Sequence, residues 1–360
     1  DLWQNPFAVA RVHNTKLWSA QHLTLMRPYM QMLADAGQKT ITASIIHDPW
    51  NSQTHDIYHS MVKWIKKKNG EWNYDYSIFD LWVNYMKGLG INKLINCYSM
   101  IPWNMKFYYY DEVIGKDTFL TAQPGSDAFA AHWKPMLEDF AKHLKQKGWF
   151  SQTAIAMDER PMEAMQKAIA VIKDADKNFK ISLAGKYHPE IQRDIFDYSV
   201  ASNQVIDSPA LYERNRSGFT TTFYTSCSEG YPNTFTFSPT AESAWLGWHA
   251  ANKGYDGYLR WAYNCWPENP LKDSRFRRFA AGDTYFIYPG YQNSVRFERL
   301  IEGIQDYEKI RILKEEFNVK NQYQKRAQLE AALEEFETSR LKTERAEDML
   351  NDAKAILNSF

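Results

Sequence analysis

Two adjacent carboxylates, Asp158 and Glu159, stand directly behind the apolar run Thr153–Met157 (TAIAM). A buried charge without a partner costs several kcal/mol, so acids in that position are either hydrogen-bonded or used. Successive side chains diverge at a strand end; one carboxyl can enter a cleft while its neighbour leans towards the next strand. Repulsion between the two raises one pKa and leaves the other ionised. A carboxyl raised in this way can protonate a glycosidic oxygen near neutral pH. The plainer reading is that one of them caps the helix opened by Pro161.

Other chemistries have weaker support. His13, His47 and His188 lack ligand spacing, and neither HxH nor HExxH occurs, so no metal and no cofactor is expected. No glycine-rich phosphate loop follows a strand, and there is no GxSxG elbow. Cys97, Cys227 and Cys265 are odd in number and far apart, which reads as buried thiols rather than a disulfide framework. Lys+Arg and Asp+Glu both count 43, and a formal net charge of zero argues against a nucleic-acid partner. No apolar run approaches the roughly 20 residues that span a bilayer. The chain opens on Asp1 with no leader-like segment, which leaves its compartment open. Aromatic residues make up 15% of the chain, with 13 Trp and 22 Tyr. Flat apolar faces with polar edges suit sugar rings, and they equally suit a core of large side chains.

A repeated strand–helix alternation must position these groups. Strands are expected over 7–13, 40–47, 93–100, 152–157, 180–184, 200–206, 220–227 and 257–266. Helices are expected over 19–36, 77–89, 126–147, 161–174, 239–252 and 294–315. Asn69-Gly70 marks a hairpin inserted over 61–76, and the aromatic stretch 102–124 reads as a loop. Such alternation implies a parallel sheet, and about eight units favour closure into a barrel. The expected fold is α/β, a (β/α)8 TIM-type barrel over 1–318 with a short β-hairpin insertion. A charge-rich C-terminal helical extension over 319–360 should pack on its outside.

In such a barrel the functional side chains stand at the carboxyl ends of strands. That rule selects Arg11, His13, His47, Asp48, Trp50, Tyr98, Asp158, Glu159, Lys186, His188, Tyr224, Trp261, Tyr263 and Trp266. The alternating aromatics of the last strand suit a ligand-facing wall, or else packing against the barrel's own helices.

Several blocks, in one order, resemble glycoside hydrolase family 123, the β-N-acetylgalactosaminidases. They are WQNPFAVAR from Trp3, GEWNYDYSIFD at 70–80, CYSMIPW at 97–103, AMDERP at 156–161, YLRWAYNCWPENP at 258–270, and GDTYFIYPG followed by SVRFERLIEGIQDYE. The likeness spans most of the chain, from Trp3 to the helix near Glu308. It implies a retaining, substrate-assisted mechanism in which the substrate's own 2-acetamido oxygen attacks the anomeric carbon. The family's Asp-Glu pair falls on Asp158 and Glu159. Asp158 would orient the acetamido group and stabilise the oxazolinium-like intermediate; Glu159 would protonate the leaving oxygen and then activate water. No enzyme nucleophile is needed, so adjacent carboxylates suffice.

The resemblance further implies a glycan partner ending in β-linked N-acetylhexosamine and a secreted or periplasmic setting. Family members carry an N-terminal β-sandwich domain that nothing in this sequence resembles, so it is expected as an absent partner. Strand position alone suggests the remaining contacts. Tyr224 would bond the acetamido oxygen, Trp261 and Trp266 would stack on sugar faces, and Tyr263 and Asn264 would meet ring hydroxyls. His47, Asp48, Trp50 and Tyr98 would reach the same cleft. Competing readings are a β-N-acetylglucosaminidase or broad hexosaminidase, a non-catalytic glycan-binding barrel, and a structural scaffold. The intact carboxylate pair speaks against the binder, and the strand-end aromatics against the scaffold.

Overall fold

A computed structural model describes the whole chain, residues 1–360. It forms two compact units, Gln4–Tyr198 and Asp1–Trp3 with Ser199–Phe360. The first opens on helix α1 (Pro6–Val12), where a strand was expected over 7–13. Asn5 caps it, its side-chain oxygen accepting from the Ala8 N–H at 3.0 Å, and Pro6 sets the fixed φ of a first turn. This start signal overrides the strand-like run that follows. Helix α2 (Ala20–Asp35) begins behind the Ser19 cap as expected, and β1 (Thr40–Ser44) enters the sheet.

The Asn69-Gly70 hairpin forms between β2 (Lys63–Lys66) and β3 (Trp72–Asp75). Helix α3 (Ser77–Gly88) and β4 (Leu94–Tyr98) come next. The stretch read as a loop over 102–124 instead holds a second hairpin, β5 (Lys106–Asp111) and β6 (Lys116–Thr121). β2 and β5 pair in parallel, which joins the two hairpins into a four-stranded sheet ordered β3-β2-β5-β6. Its inner face is aromatic: Phe107 meets Phe129 and Trp133 edge-on, and Trp64 stacks on His132 at 4.5 Å. Phe129, His132 and Trp133 belong to α4 (Asp127–Lys147), capped by Ser126 and ended by Gly148 at φ 71°. Only glycine adopts that left-handed conformation at little cost.

Strand β7 (Thr153–Met157), helix α5 (Met162–Ala175), strand β8 (Lys180–Gly185) and strand β9 (Asp197–Ala201) follow. β1, β4, β7 and β8 pair in parallel in that order. Every residue of β1, β4 and β7 is buried, which explains why each reads as a near-continuous apolar run.

The second unit carries α6 (Ser208–Arg216), β10 (Thr220–Tyr224), α7 (Ala241–Lys253) and β11 (Gly257–Leu259). Helices α8 (Val295–Val319), α9 (Tyr323–Glu334) and α10 (Ala346–Leu357) complete it. The strand expected over 257–266 ends at Leu259, where β10 and β11 pair in parallel. The main sheet has seven strands in the order β1-β4-β7-β8-β9-β10-β11. The ladders therefore account for seven of the eight strands expected, α1 standing where the first should be. No helix is long and apolar enough to cross a membrane.

The charge-rich tail folds as helices. Leu329, Leu333, Phe336, Leu350 and Leu357 form one cluster with Trp245 and Trp248 of α7. Helices α7 and α8 touch backbone to backbone: a Cβ on Gly303 would lie 2.4 Å from the Ala244 carbonyl oxygen. Gly303→Ala must therefore push the helices apart and should cost about 1–3 kcal/mol, the usual range for overpacking. Chemical denaturation reads this as a lowered midpoint at unchanged slope; an unchanged midpoint would mean that the helices separate freely.

Candidate active site

β7 ends at Met157, and Asp158 and Glu159 come next, at the carboxyl end of a buried parallel strand. The two side chains meet different surroundings. Asp158 is 8% exposed. Its Oδ2 accepts a hydrogen bond from the Trp103 indole N–H at 3.0 Å. Its Oδ1 is buried with no hydrogen bond. Burial pushes the Asp158 carboxyl up to about 6, and the Glu159 charge adds to that. The Trp103 hydrogen bond, the Arg160 charge and the Trp50 indole hold it back. Glu159 is exposed, and its flank rests near Gly185 of β8, where a Cβ would stand 3.6 Å from Glu159 Cγ. The pair thus diverges as expected at a strand end, and the raised pKa falls on Asp158.

Trp103, which reasoning from strand ends passed over, lies on the loop between β4 and β5. Its backbone N–H donates to the Pro49 carbonyl at 3.0 Å. The Arg160 guanidinium lies 4.1 Å from the centre of its indole ring. Arg160 in turn donates from Nε to the Ile101 carbonyl at 3.0 Å. Residues 99–103 and 158–160 are thereby clamped together. The usable sequence signal was a Trp-bearing block, CYSMIPW, whose last residue falls five positions beyond the end of β4.

Of the residues expected around the pair, Trp50 and Tyr98 are brought to it. Their rings lie 5.3 Å apart, and Tyr98 is fully buried. Burial first, then the charges of Asp197 and Asp158, hold the Tyr98 hydroxyl well above its usual pKa. Behind it Asp197 Oδ2 accepts from Asn96 Nδ2 at 2.9 Å and from Ser182 Oγ at 3.0 Å. Asp48 shapes the turn that delivers Trp50: it sits at φ 49°, and its carboxylate takes the Ser52 N–H and hydroxyl at 2.7 and 3.0 Å. His47 packs between His59 and Tyr108, at 5.1 and 4.9 Å, with its pKa lowered by burial first and then by His59.

Arg11 and His13 lie on or just past α1 and are tied to the scaffold. Arg11 pairs with Asp56 at 2.8 Å and His13 bonds Tyr29 at 2.9 Å. Lys186 and His188 line a cavity of about 370 Å³ together with Glu159.

The remaining expected residues belong to the second unit. Tyr224 ends β10, buried, its carbonyl accepting from Ser202 at 2.9 Å. Trp261 is half-buried and donates to Asp283 Oδ1 at 3.2 Å. Tyr263, Asn264 and Trp266 are fully buried. Trp266 donates its N–H to the Ile287 carbonyl at 2.6 Å, and Tyr263 packs on Phe297. The aromatic alternation read as a ligand-facing wall packs inward at these positions. No group of three or more His, Cys, Asp or Glu side chains is placed to hold a metal ion.

The family model for the glycoside hydrolase 123 catalytic domain matches residues 3–313. A solved family 123 glycoside hydrolase from Clostridium perfringens, described in terms of glycolipid glycan hydrolysis, superposes with a TM-score of 0.89 at 28% identity. The match covers 99% of this chain and 68% of that one. A GH39 β-xylosidase from Caulobacter crescentus gives a TM-score of 0.48 at 10% identity, over 83% of this chain and 69% of that one. No curated protein matches in sequence.

Asp158 has a measurable signature. Its pKa is raised on folding, so the folded state holds the proton more tightly than the unfolded chain. Below the unfolded value of 3.8 the group costs nothing; as pH rises towards 6 and beyond, a penalty develops. Its full size is about 3 kcal/mol at most. The stability of Asp158→Asn relative to wild type should therefore grow between pH 4 and pH 7 in parallel denaturation curves; a constant difference would place the carboxyl in a water-like environment. Trp103→Phe removes the hydrogen bond to the charged form and should move the Asp158 midpoint upward in a carboxyl NMR titration. An unmoved midpoint would show that the indole does not hold the carboxylate.

Proposed function

This chain belongs to glycoside hydrolase family 123, and on that premise we propose that it releases terminal β-linked N-acetylgalactosamine from glycans with retention, the substrate's 2-acetamido group serving as nucleophile. The observation that carries this reading is the state of the Asp158 carboxyl. One oxygen is held by Trp103, and the other is buried with no hydrogen bond. A buried acceptor that meets only the Trp50 indole has lone pairs to spare for a donor from the ligand, and the acetamido N–H is such a donor. Hydrogen bonding to the ionised form draws a raised carboxyl pKa back down, so the ligand itself would favour the charged state.

With its N–H bonded to a carboxylate, the acetamido group becomes a better nucleophile. Its carbonyl oxygen attacks the anomeric carbon as the bond to the leaving oxygen breaks. The positive charge that spreads onto the ring nitrogen of the oxazolinium is then opposed by Asp158. Glu159, exposed at the rim, gives its proton to the leaving oxygen. It next takes a proton from the water that opens the intermediate, which restores both groups. The C. perfringens relative is described as acting on glycolipid glycans, and we take glycolipids as one candidate source of the substrate. A β-N-acetylglucosaminidase would use the same pair, because the two sugars differ in the orientation of one hydroxyl.

Aryl β-N-acetylgalactosaminide and β-N-acetylglucosaminide, assayed side by side, decide between these sugars. Glu159→Gln should lose about 10²–10⁴-fold in kcat on a substrate with a sugar leaving group, the range for general-acid catalysis. Wild-type turnover by that variant would remove Glu159 as the acid. Asp158→Asn should slow the N-acetyl substrate comparably, and full activity there would refute acetamido participation.

A further inference from the structure

Between the ends of β7 and β8 lies the cavity of about 370 Å³ that Glu159 lines, large enough for one sugar unit. Its buried side is apolar, formed by Met165 and Leu183. Its open side carries Arg160, Lys186 and His188. Lys186 is exposed and His188 half-buried, and neither side chain makes an ion pair. The turn that carries them is fixed from below. The buried Tyr198 hydroxyl donates to the Lys186 carbonyl at 2.6 Å and accepts the His188 N–H at 2.9 Å. Arg160 is held against Trp103 and the Ile101 carbonyl, which leaves its Nη2 without a partner.

The backbone adds charge of the same sign. Pro161 and Met162 line the cavity where α5 begins, and no side chain caps that helix. Its first-turn N–H groups and the positive end of its dipole therefore favour an anion. Two of the nearby acids are turned to other partners or to solvent. Glu163 is tied to Lys167 at 2.7 Å, and Glu190 is exposed two residues past His188.

We infer that this cavity is a leaving-group subsite for an anionic sugar, one bearing a carboxylate or a sulfate ester. The inference rests on Glu159 being the proton donor, because the leaving sugar must then stand against that side chain. A neutral sugar there leaves the Lys186 ammonium unpaired beside an apolar wall; an anionic one pairs with it, with Arg160 Nη2 and the His188 ring as further donors.

The test compares three substrates with the same terminal β-N-acetylgalactosamine. Their leaving sugar is neutral, carboxylated or sulfated, and an aryl glycoside without a leaving sugar serves as control. At low salt, wild type should favour at least one anionic substrate over the neutral one by about fivefold in kcat/KM, carried by KM, as suits partly exposed charge pairs. Lys186→Ala and His188→Gln should each bring that ratio towards one. About 0.5 M salt should do the same to wild type by screening. Preference for the carboxylate alone or the sulfate alone supports the subsite and names its anion. A ratio of one in wild type, or a ratio that survives both substitutions and salt, overturns it. If the aryl glycoside is cleaved while the ratio stays at one, only this subsite falls. If none of the four is cleaved, the glycosidase reading falls and takes the subsite with it.

Discussion

The interaction on which the site depends is the hydrogen bond from the Trp103 indole to a carboxylate sealed in the fold. Desolvating a carboxylate costs several kcal/mol, and the surroundings of Asp158 return only part of that. One oxygen is bonded and the other is not. A core designed only for stability would carry an apolar residue or a fully bonded pair here. The segments around the carboxyl hold the indole in place instead. Its backbone is tied to Pro49, its ring is covered by Arg160, and the strand that follows it sinks Phe107 against Phe129 and Trp133. The four-stranded insertion is thus a brace, holding the loop that carries Trp103 to the rigid face of α4.

That brace separates two neighbouring carboxyl groups. Asp158 and Glu159 are neighbours in sequence, yet one is sealed beneath two indoles and the other stands at the surface. Burial raises the proton affinity of Asp158, and its two indoles and Arg160 hold that rise back. A strand end achieves this with no extra machinery, since consecutive residues leave it in different directions.

How much of this was legible depended on whether local or distant forces decide. The apolar runs of β1, β4 and β7 were readable because strands buried on both faces demand them, and the helix bounds near Ser19, Ser126 and Gly148 because the capping bonds that set them are local. The run 7–13 misled because its apolar periodicity fits either element; the Asn5-Pro6 start, also local, was the better guide. β5 and β6 were missed because their alternation is masked by aromatics on both faces, Phe107 inward and Tyr108 and Tyr110 outward. Burial of Tyr263 and Trp266 comes from contacts with Phe297 and Ile287, which no spacing encodes. Placing Asp158 and Glu159 at a strand end was within reach of the sequence. Which of the two would be desolvated was not, because that depends on an indole 55 residues away.

Arg160 is where these constraints converge. Its position is dictated by the residues before it: one step past two diverging acids, its backbone leads into Pro161 while its side chain folds back over Trp103. From there its charge favours the ionised form of Asp158. The same side chain also forms part of the cavity lined by Glu159. A lysine could supply the charge, but it could not lie flat on an indole while donating in plane to the Ile101 carbonyl. The residue that steadies the Asp158 carboxylate is therefore also a wall of the cavity beside Glu159, and a change at Arg160 should not separate the two.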